Sequence, residues 1–196
     1  MTEFISVLIG YLCGSIPFGL ILTKAAGLGD VRNIGSGNIG ATNVLRTGNK
    51  RIAALTLLLD GLKGAVPVFL FNYFGESQAG MIAGLAAMIG HLFPIWLGFK
   101  GGKGVATNIG VLFGLYWPLG LIFIALWIAL AFAFRISSLA GLAASALSPL
   151  WAYLLERSDL LLPTALIGAA IWFMHRANIG RLMKGEEPKI DLQKRA

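Results

Sequence analysis

The chain has 196 residues, 57% of them hydrophobic and 13% charged, with a mean hydropathy of +0.77 and a formal net charge of +7. Soluble domains carry about 25% charged residues, so there is too little polar surface here to face water all round, and lipid must cover much of the chain. Soluble enzyme folds, disordered chains and disulfide scaffolds are thereby excluded, the single cysteine, Cys13, having no partner within the chain.

A helix needs about 20 apolar residues to cross roughly 30 Å of hydrocarbon. Length and punctuation predict seven such segments, over residues 4–23, 52–74, 79–99, 105–117, 119–134, 138–155 and 160–174. The first opens with Glu3 rather than a basic region and shows no small-residue cleavage site before Lys24, so it reads as a retained span. Trp117 and Pro118 punctuate the fourth and fifth, an aromatic and a proline suited to an interfacial turn.

Seven crossings put the termini on opposite sides. Lys24, Arg32, Arg46, Lys50, Arg51, Lys100, Lys103, Arg135, Arg176, Arg181, Lys184, Lys189, Lys194 and Arg195 then share one side, Arg157 stands on the other, and Lys63 lies within a span. Positive residues favour the cytoplasm, which places the N-terminus outside and the C-terminus inside. The expected fold is all-α: a polytopic membrane protein, one seven-helix domain over 1–196, with its chemistry at the cytoplasmic face where the long loop lies.

Three stretches on that face carry residue types suited to phosphate. The first contains Gly35, Ser36, Gly37, Asn38, Gly40, Thr42, Asn43 and Arg46. Glycines let backbone N–H groups converge on an oxyanion, the hydroxyls and amides add hydrogen bonds, and Arg46 can fork two more; a polar re-entrant loop is the plainer account. Gly35, Gly37 and Gly40 also match the dinucleotide fingerprint G-x-G-x-x-G, with Asp60 near the acidic position. That match is a decoy, since it follows a membrane span rather than a strand.

The second runs from His91 to Thr107, with Lys100 and Lys103 bracketing Gly101 and Gly102, and Gly104 following. Its helix start would aim N–H groups and a positive dipole end where the lysines point. It is not a Walker A loop: it is one residue too short, and Gly104 replaces the hydroxyl residue. Lysines that merely set topology are the alternative. The third, from His175 to Glu187, spaces His175, Asn178 and Arg181 three apart, so they are expected to share a helix face; a basic helix resting on anionic lipid would look the same.

Asp60 and Lys63 are ionisable residues within a span, costly in lipid unless paired, and their spacing allows pairing, for a structural or a substrate role. Arg135, Ser137 and Ser138 form a smaller polar corner, able to donate to phosphate or to cap a helix. There is no His-x-x-x-x-Asp pair and no G-x-S-x-G elbow. The inner acids, Asp30, Glu186, Glu187 and Asp191, are too few for an Asp-rich magnesium site.

Across these stretches, and at Gly14-Ser15-Ile16-Pro17-Phe18-Gly19, the sequence resembles the bacterial PlsY family of acyl-phosphate:glycerol-3-phosphate acyltransferases over nearly its whole length. The resemblance implies a seven-helix enzyme of the bacterial inner membrane that transfers an acyl group from acyl phosphate to the 1-hydroxyl of glycerol 3-phosphate. The products are lysophosphatidic acid and phosphate, in an early step of phospholipid biosynthesis, with no direct use of acyl-CoA or acyl carrier protein. It implies no cofactor, no metal and no nucleic acid partner, with membrane lipid around the protein and a soluble acyl-phosphate synthase as the protein partner to consider.

On that footing Ser36, Asn38, Lys103 and His175 are expected to be catalytic. Gly35, Gly37, Thr42, Asn43, Arg46, Lys100, Gly101, Gly102, Gly104, Thr107, Ser138, Asn178, Arg181 and Glu187 are expected to bind substrate or phosphate. Glycerol 3-phosphate is expected near Arg46, Asn178 and Arg181, with Lys103 nearer the transferring group. His91 and His175 are the conventional bases, yet the donor's own phosphate can take the hydroxyl proton. A transporter for an organic phosphate and a lipid phosphate hydrolase are the rival readings. The first lacks a matching outer site, and the second lacks an acid beside either histidine.

Overall fold

The computed structural model describes residues 1–190; Asp191, Lys194 and Arg195, counted above, lie outside the described residues. The described residues form ten α-helices and no strand: α1 (Thr2–Gly14), α2 (Phe18–Ala25), α3 (Ala41–Val44), α4 (Lys50–Tyr73), α5 (Ser77–Leu92), α6 (Val105–Leu115), α7 (Trp117–Phe134), α8 (Ser137–Leu154), α9 (Leu161–Met174) and α10 (Arg176–Met183). The all-α expectation therefore holds.

The apolar runs become helices where predicted, but proline and glycine move their ends. Pro17 has no N–H to donate and disfavours helical geometry at Ile16. The first run is accordingly broken into α1 and α2 around residues 15–17 rather than continuous over 4–23. The third run stops at Leu92, two residues before Pro94, and continues as a single tight turn at Ile95–Leu97. α4 starts where the Asn49 side chain accepts the Ile52 N–H at 3.0 Å, a standard N-cap, and runs unbroken through Pro67. α6 has 11 residues, about 16 Å of helix and roughly half a hydrocarbon core.

Among the described residues four helical segments are long and apolar enough to cross a membrane: Thr2–Ala25 taken through its break, Lys50–Tyr73, Ser77–Leu97 and Trp117–Phe134. A fifth candidate, Ser158–Met174 with Arg176–Met183, is bent by 65°. Large apolar side chains face outward along these helices, among them Leu8, Leu58, Phe69, Phe132 and Phe173, as expected of surfaces that meet lipid.

The chain forms two compact units, the first ending at Trp117 and the second beginning at Pro118. In the first, α1 lies along α5, and α4 packs on both α6 and α5. Glycine makes these contacts. A Cβ on Gly10 would stand 2.2 Å from the Ala83 carbonyl oxygen and one on Gly14 2.0 Å from that of Ala87. One on Gly64 would be 2.3 Å from the Thr107 oxygen, and one on Gly110 1.8 Å from the Gly61 oxygen. Lipid supplies no hydrophobic drive between helices, so close backbone packing at small residues is what holds them.

In the second unit α8 packs on α9. The Trp172 indole donates to the Leu142 carbonyl at 3.1 Å, and Ser145, Ser148 and Thr164 return their hydroxyls to carbonyls of their own helices or the adjoining turn. Polar atoms inside the apolar bundle are satisfied locally in this way.

Gly14→Ala should destabilise the protein by about 1–3 kcal/mol, since the new methyl would have to displace the α5 backbone. Gly180→Ala, where a Cβ meets nothing within 4 Å, should be neutral or stabilising by up to about 1 kcal/mol. Thermal unfolding of the two variants in one detergent checks the contrast.

Candidate active site

In the first unit the long loop is tied together from inside. Asp30 accepts the Arg32 N–H at 3.0 Å and pairs with its guanidinium at 2.6 Å, with Lys24 at 3.7 Å. These hydrogen bonds and charges hold its half-buried carboxyl well below the usual range. The buried Asn43 is the loop's hub. Its amide nitrogen lies 2.8–2.9 Å from the carbonyls of Val31, Ile34 and Asn38, and its oxygen accepts the Ser36 N–H at 3.0 Å. The Asn38 oxygen accepts the Gly40 N–H at 2.9 Å, and the Gly37 N–H donates to Ile34.

The sequence pictured these N–H groups converging on an anion. Those of Ser36, Gly37 and Gly40 instead bond within the loop, and Asn43, expected to touch substrate, has its amide committed to the frame. What faces outward is the exposed Ser36, Thr42 and Arg46. Gly35, at φ +53°, is required here: a Cβ would stand 2.6 Å from both the Arg46 side chain and the Asn43 oxygen. Only glycine lets the arginine fold back over the loop.

The second stretch is docked on the end of α5. The Gly101 N–H donates to Leu92 at 3.1 Å and the Gly102 N–H to His91 at 3.0 Å. The two glycines thus do not offer these N–H groups to phosphate, as the sequence had suggested. Gly104, at φ +88°, turns the chain into α6, whose opening N–H groups have no acceptor within the helix. Lys103 immediately precedes that turn. Lys100 is exposed, and Thr107 is buried with no hydrogen-bond partner on its hydroxyl.

Aromatic donors brace the loop. The Trp96 indole donates to the Ser15 carbonyl and hydroxyl at 3.0 and 2.9 Å, and the Tyr11 hydroxyl to the Phe93 carbonyl at 3.0 Å. None of these bracing residues was marked out from sequence, where a lone aromatic in an apolar run reads as lipid-facing. Beneath, the expected Asp60–Lys63 pair is present at 2.7 Å and buried.

In the second unit the chain bends between α9 and α10 at His175, and Asn178 and Arg181 follow on α10. His175 sits at the bend, buried, with Nδ1 2.8 Å from the Ile171 carbonyl. A carbonyl can only accept, so Nδ1 carries the proton, and a neutral His175 has its lone pair on Nε2. Asn178 and Arg181 lie on α10 and meet Glu187. Its carboxylate accepts from the Asn178 amide, from Arg181 Nε at 2.7 Å and from Ser138 Oγ at 2.7 Å.

Glu187 therefore gathers the start of α8 and one face of α10. Arg135 fastens the following residues: its N–H groups donate to the Ile190 carbonyl at 3.1 and 3.3 Å. Burial pushes the Glu187 carboxyl up, but the hydrogen bonds from Ser138, Asn178 and Arg181, with the Arg181 charge, outweigh it and leave the group below its ordinary value. Among the described residues no three His, Cys, Asp or Glu side chains gather into a metal-binding group.

Helices with lipid-facing surfaces define a multi-pass membrane protein, and each unit holds residue types suited to an anion: Lys103 at a helix start in the first, and an Arg–Asn–Ser cluster organised by a carboxylate in the second. A family model described as glycerol-3-phosphate acyltransferase matches residues 4–185, and the chain belongs to that family. It is 58% identical over 181 residues to the glycerol-3-phosphate acyltransferase of Maricaulis maris, covering 92% of this chain and 84% of that one. It is 57% identical over 186 residues to that of Mesorhizobium japonicum, covering 95% of each. The crystal structure of PlsY (YgiH), an integral membrane glycerol 3-phosphate acyltransferase, in its glycerol 3-phosphate form superposes with a TM-score of 0.92 at 37% identity, over 97% of this chain and 96% of that one. The lysophosphatidic acid form of PlsY gives 0.90 at 36% identity, over the same shares of the two chains.

The depressed Glu187 value makes the cluster pH-dependent. Its stabilising contribution is complete above the ordinary carboxylate range and is lost as pH falls through the lower folded value. Glu187→Ala should then destabilise the protein by about 1–3 kcal/mol at pH 7. The gap from wild type should narrow as thermal unfolding is repeated toward acid pH.

Proposed function

We propose that this glycerol-3-phosphate acyltransferase takes its acyl group from acyl phosphate and passes it to the 1-hydroxyl of sn-glycerol 3-phosphate, giving lysophosphatidic acid and inorganic phosphate. The observation that carries the acceptor and product is the near full-length likeness to an integral membrane enzyme solved in glycerol 3-phosphate and lysophosphatidic acid forms. The donor is supported by chemistry. The sequence lacks a His-x-x-x-x-Asp pair and a nucleophile elbow, but carries cationic groups in each unit suited to a phosphorylated substrate.

The hydroxyl oxygen attacks the acyl carbonyl carbon, the bond from that carbon to the phosphate oxygen breaks, and the hydroxyl proton passes to a phosphate oxygen of the donor. The leaving group is itself the base, and its departure needs charge neutralisation above all. Lys103, the opening N–H groups of α6, Ser36 and Arg46 supply it. Groups of this kind are worth several kcal/mol in a water-excluded site. Asn38 and Asn43 shape the loop that presents Ser36 and Arg46, and Gly101 and Gly102 seat Lys103 from behind. Thr42, Lys100 and Thr107 complete the donor side. Asn178 and Arg181 hold the phosphate of glycerol 3-phosphate, oriented by Glu187 and Ser138. His175 orients the acceptor hydroxyl rather than removing its proton.

The family match runs through both units, which supports one functional domain over 1–196. Seven crossings, with α6 and its flanking residues as the fourth, an outer N-terminus and a cytoplasmic C-terminus, are supported by the segregation of basic residues. The same bias favours the bacterial inner membrane. No cofactor enters the scheme, and a soluble acyl-phosphate synthase would deliver the donor at the cytoplasmic face.

Purified protein in lipid, given long-chain acyl phosphate with and without glycerol 3-phosphate and without CoA or carrier protein, should release lysophosphatidic acid and phosphate in equal, acceptor-dependent amounts. Phosphate without lipid product would mean hydrolysis and would reject the scheme. Lys103→Met should lower kcat by about 10²–10³-fold. Arg181→Gln should raise KM for glycerol 3-phosphate more than for acyl phosphate, and His175→Ala should keep turnover within about tenfold of wild type.

A further inference from the structure

One turn of α4 holds both flanks of the loop that carries Lys103. Asp60 and Lys63 are paired at 2.7 Å and almost fully buried, at 2% and 5% exposure. Lys63 Nζ also donates to the Ile16 carbonyl at 2.7 Å, at the break between α1 and α2, and stands 5.7 Å from the centre of the Phe18 ring. On the other side of the pair, His91 Nδ1 is 4.0 Å from Asp60 Oδ1 and makes no hydrogen bond. The far edge of the same imidazole faces the loop: a Cβ on Gly102 would lie 2.1 Å from His91 Nε2, and the His91 carbonyl takes the Gly102 N–H.

The loop's far flank is held by the same turn. Gly64 packs on the Thr107 carbonyl, and Gly110 packs on the Gly61 carbonyl, each too closely for a side chain. Residues 60–64 thus grip the chain just before the loop, through His91, and just after it, through the first turns of α6.

Stability alone does not account for the ion pair. A buried pair is costly in an apolar span, and replacing both partners by apolar residues is often neutral or stabilising. We propose that Asp60, Lys63 and His91 are positioning residues for Lys103: the buried pair fixes the His91 ring, and the ring and carbonyl of His91 seat Gly102, so that Lys103 and the start of α6 are presented in one place. Its consequence for turnover rests on the assignment of Lys103 to the donor phosphate. A displacement of about 1 Å in such a group can cost about 10²-fold.

The test is the double variant Asp60→Leu/Lys63→Met, which removes both charges together, with His91→Gln as an independent second variant. Each is measured in lipid for thermal unfolding, for kcat and both KM values, and for hydrogen exchange across residues 92–106. The expected result in a folded variant is a kcat lowered about 10- to 100-fold. KM for acyl phosphate rises, KM for glycerol 3-phosphate stays within about twofold, and the Gly101 and Gly102 amides exchange faster. A purely structural pair would leave the split between the two KM values and the loop exchange unmoved. Exchange at the wild-type rate, or kcat within about twofold of wild type, in either folded variant overturns the proposal. If the wild-type protein makes no product from acyl phosphate, the donor assignment fails instead, and exchange across 92–106 alone decides the positioning role.

Discussion

Backbone-to-backbone contact between helices is the constraint on which the first unit rests. In lipid the exterior is as apolar as the interior, so two helices gain little by burying leucine against leucine and must gain by fitting closely. Gly10 and Gly14 on α1 bring that helix onto the carbonyls of α5, while Gly64 and Gly110 bring α4 and α6 together in the same manner. Because a carbonyl oxygen occupies the space where each Cβ would be, these helices have no slack to slide, and the loops that leave them start from fixed points.

That rigidity matters most where the chain turns back at the end of α5. Gly101 and Gly102 lie on the last carbonyls of α5, Trp96 ties the intervening residues to the break after α1 and Tyr11 ties them to α1 itself, and Gly104 redirects the chain into α6. Lys103 is left at a helix start whose opening N–H groups lack intrahelical acceptors. The long loop between α2 and α4 works differently. Asn43 gathers its carbonyls into a frame, and the outward surface is left to Ser36, Thr42 and Arg46. In both places the glycines shape the backbone, while the groups suited to an anion are side chains and a helix terminus.

The second unit organises its polar groups around a carboxylate. Glu187 draws Ser138, Asn178 and Arg181 together, and in doing so gives the arginine a fixed orientation without removing its charge from the neighbourhood. Guanidinium groups have five N–H donors, and this bond engages Arg181 through Nε, so donors remain to meet a phosphate. One carboxylate in a basic region thus organises a cation and two neutral donors.

Composition and hydropathy alone determined that this is an all-helical membrane protein, because the balance of apolar and polar residues dictates which solvent a chain can face. The three Gly-rich or basic stretches were legible as residue types suited to phosphate, since glycine, lysine and arginine serve that chemistry in any fold, and their motifs carried the family. The Asp60–Lys63 pair was legible too, because residues three apart on a helix must be neighbours. Only the tertiary structure decided which groups are left facing outward and which hold the frame. Asn43 and the Gly101 and Gly102 amides turned inward, and His175 was buried at the bend between α9 and α10. His91 on α5 was brought to 4.0 Å from Asp60 on α4, and Glu187 became the hub of three donors. Local spacing sets what is close along one helix, whereas a hydrogen bond goes to whichever partner packing brings within 3 Å, and that partner is often distant in sequence.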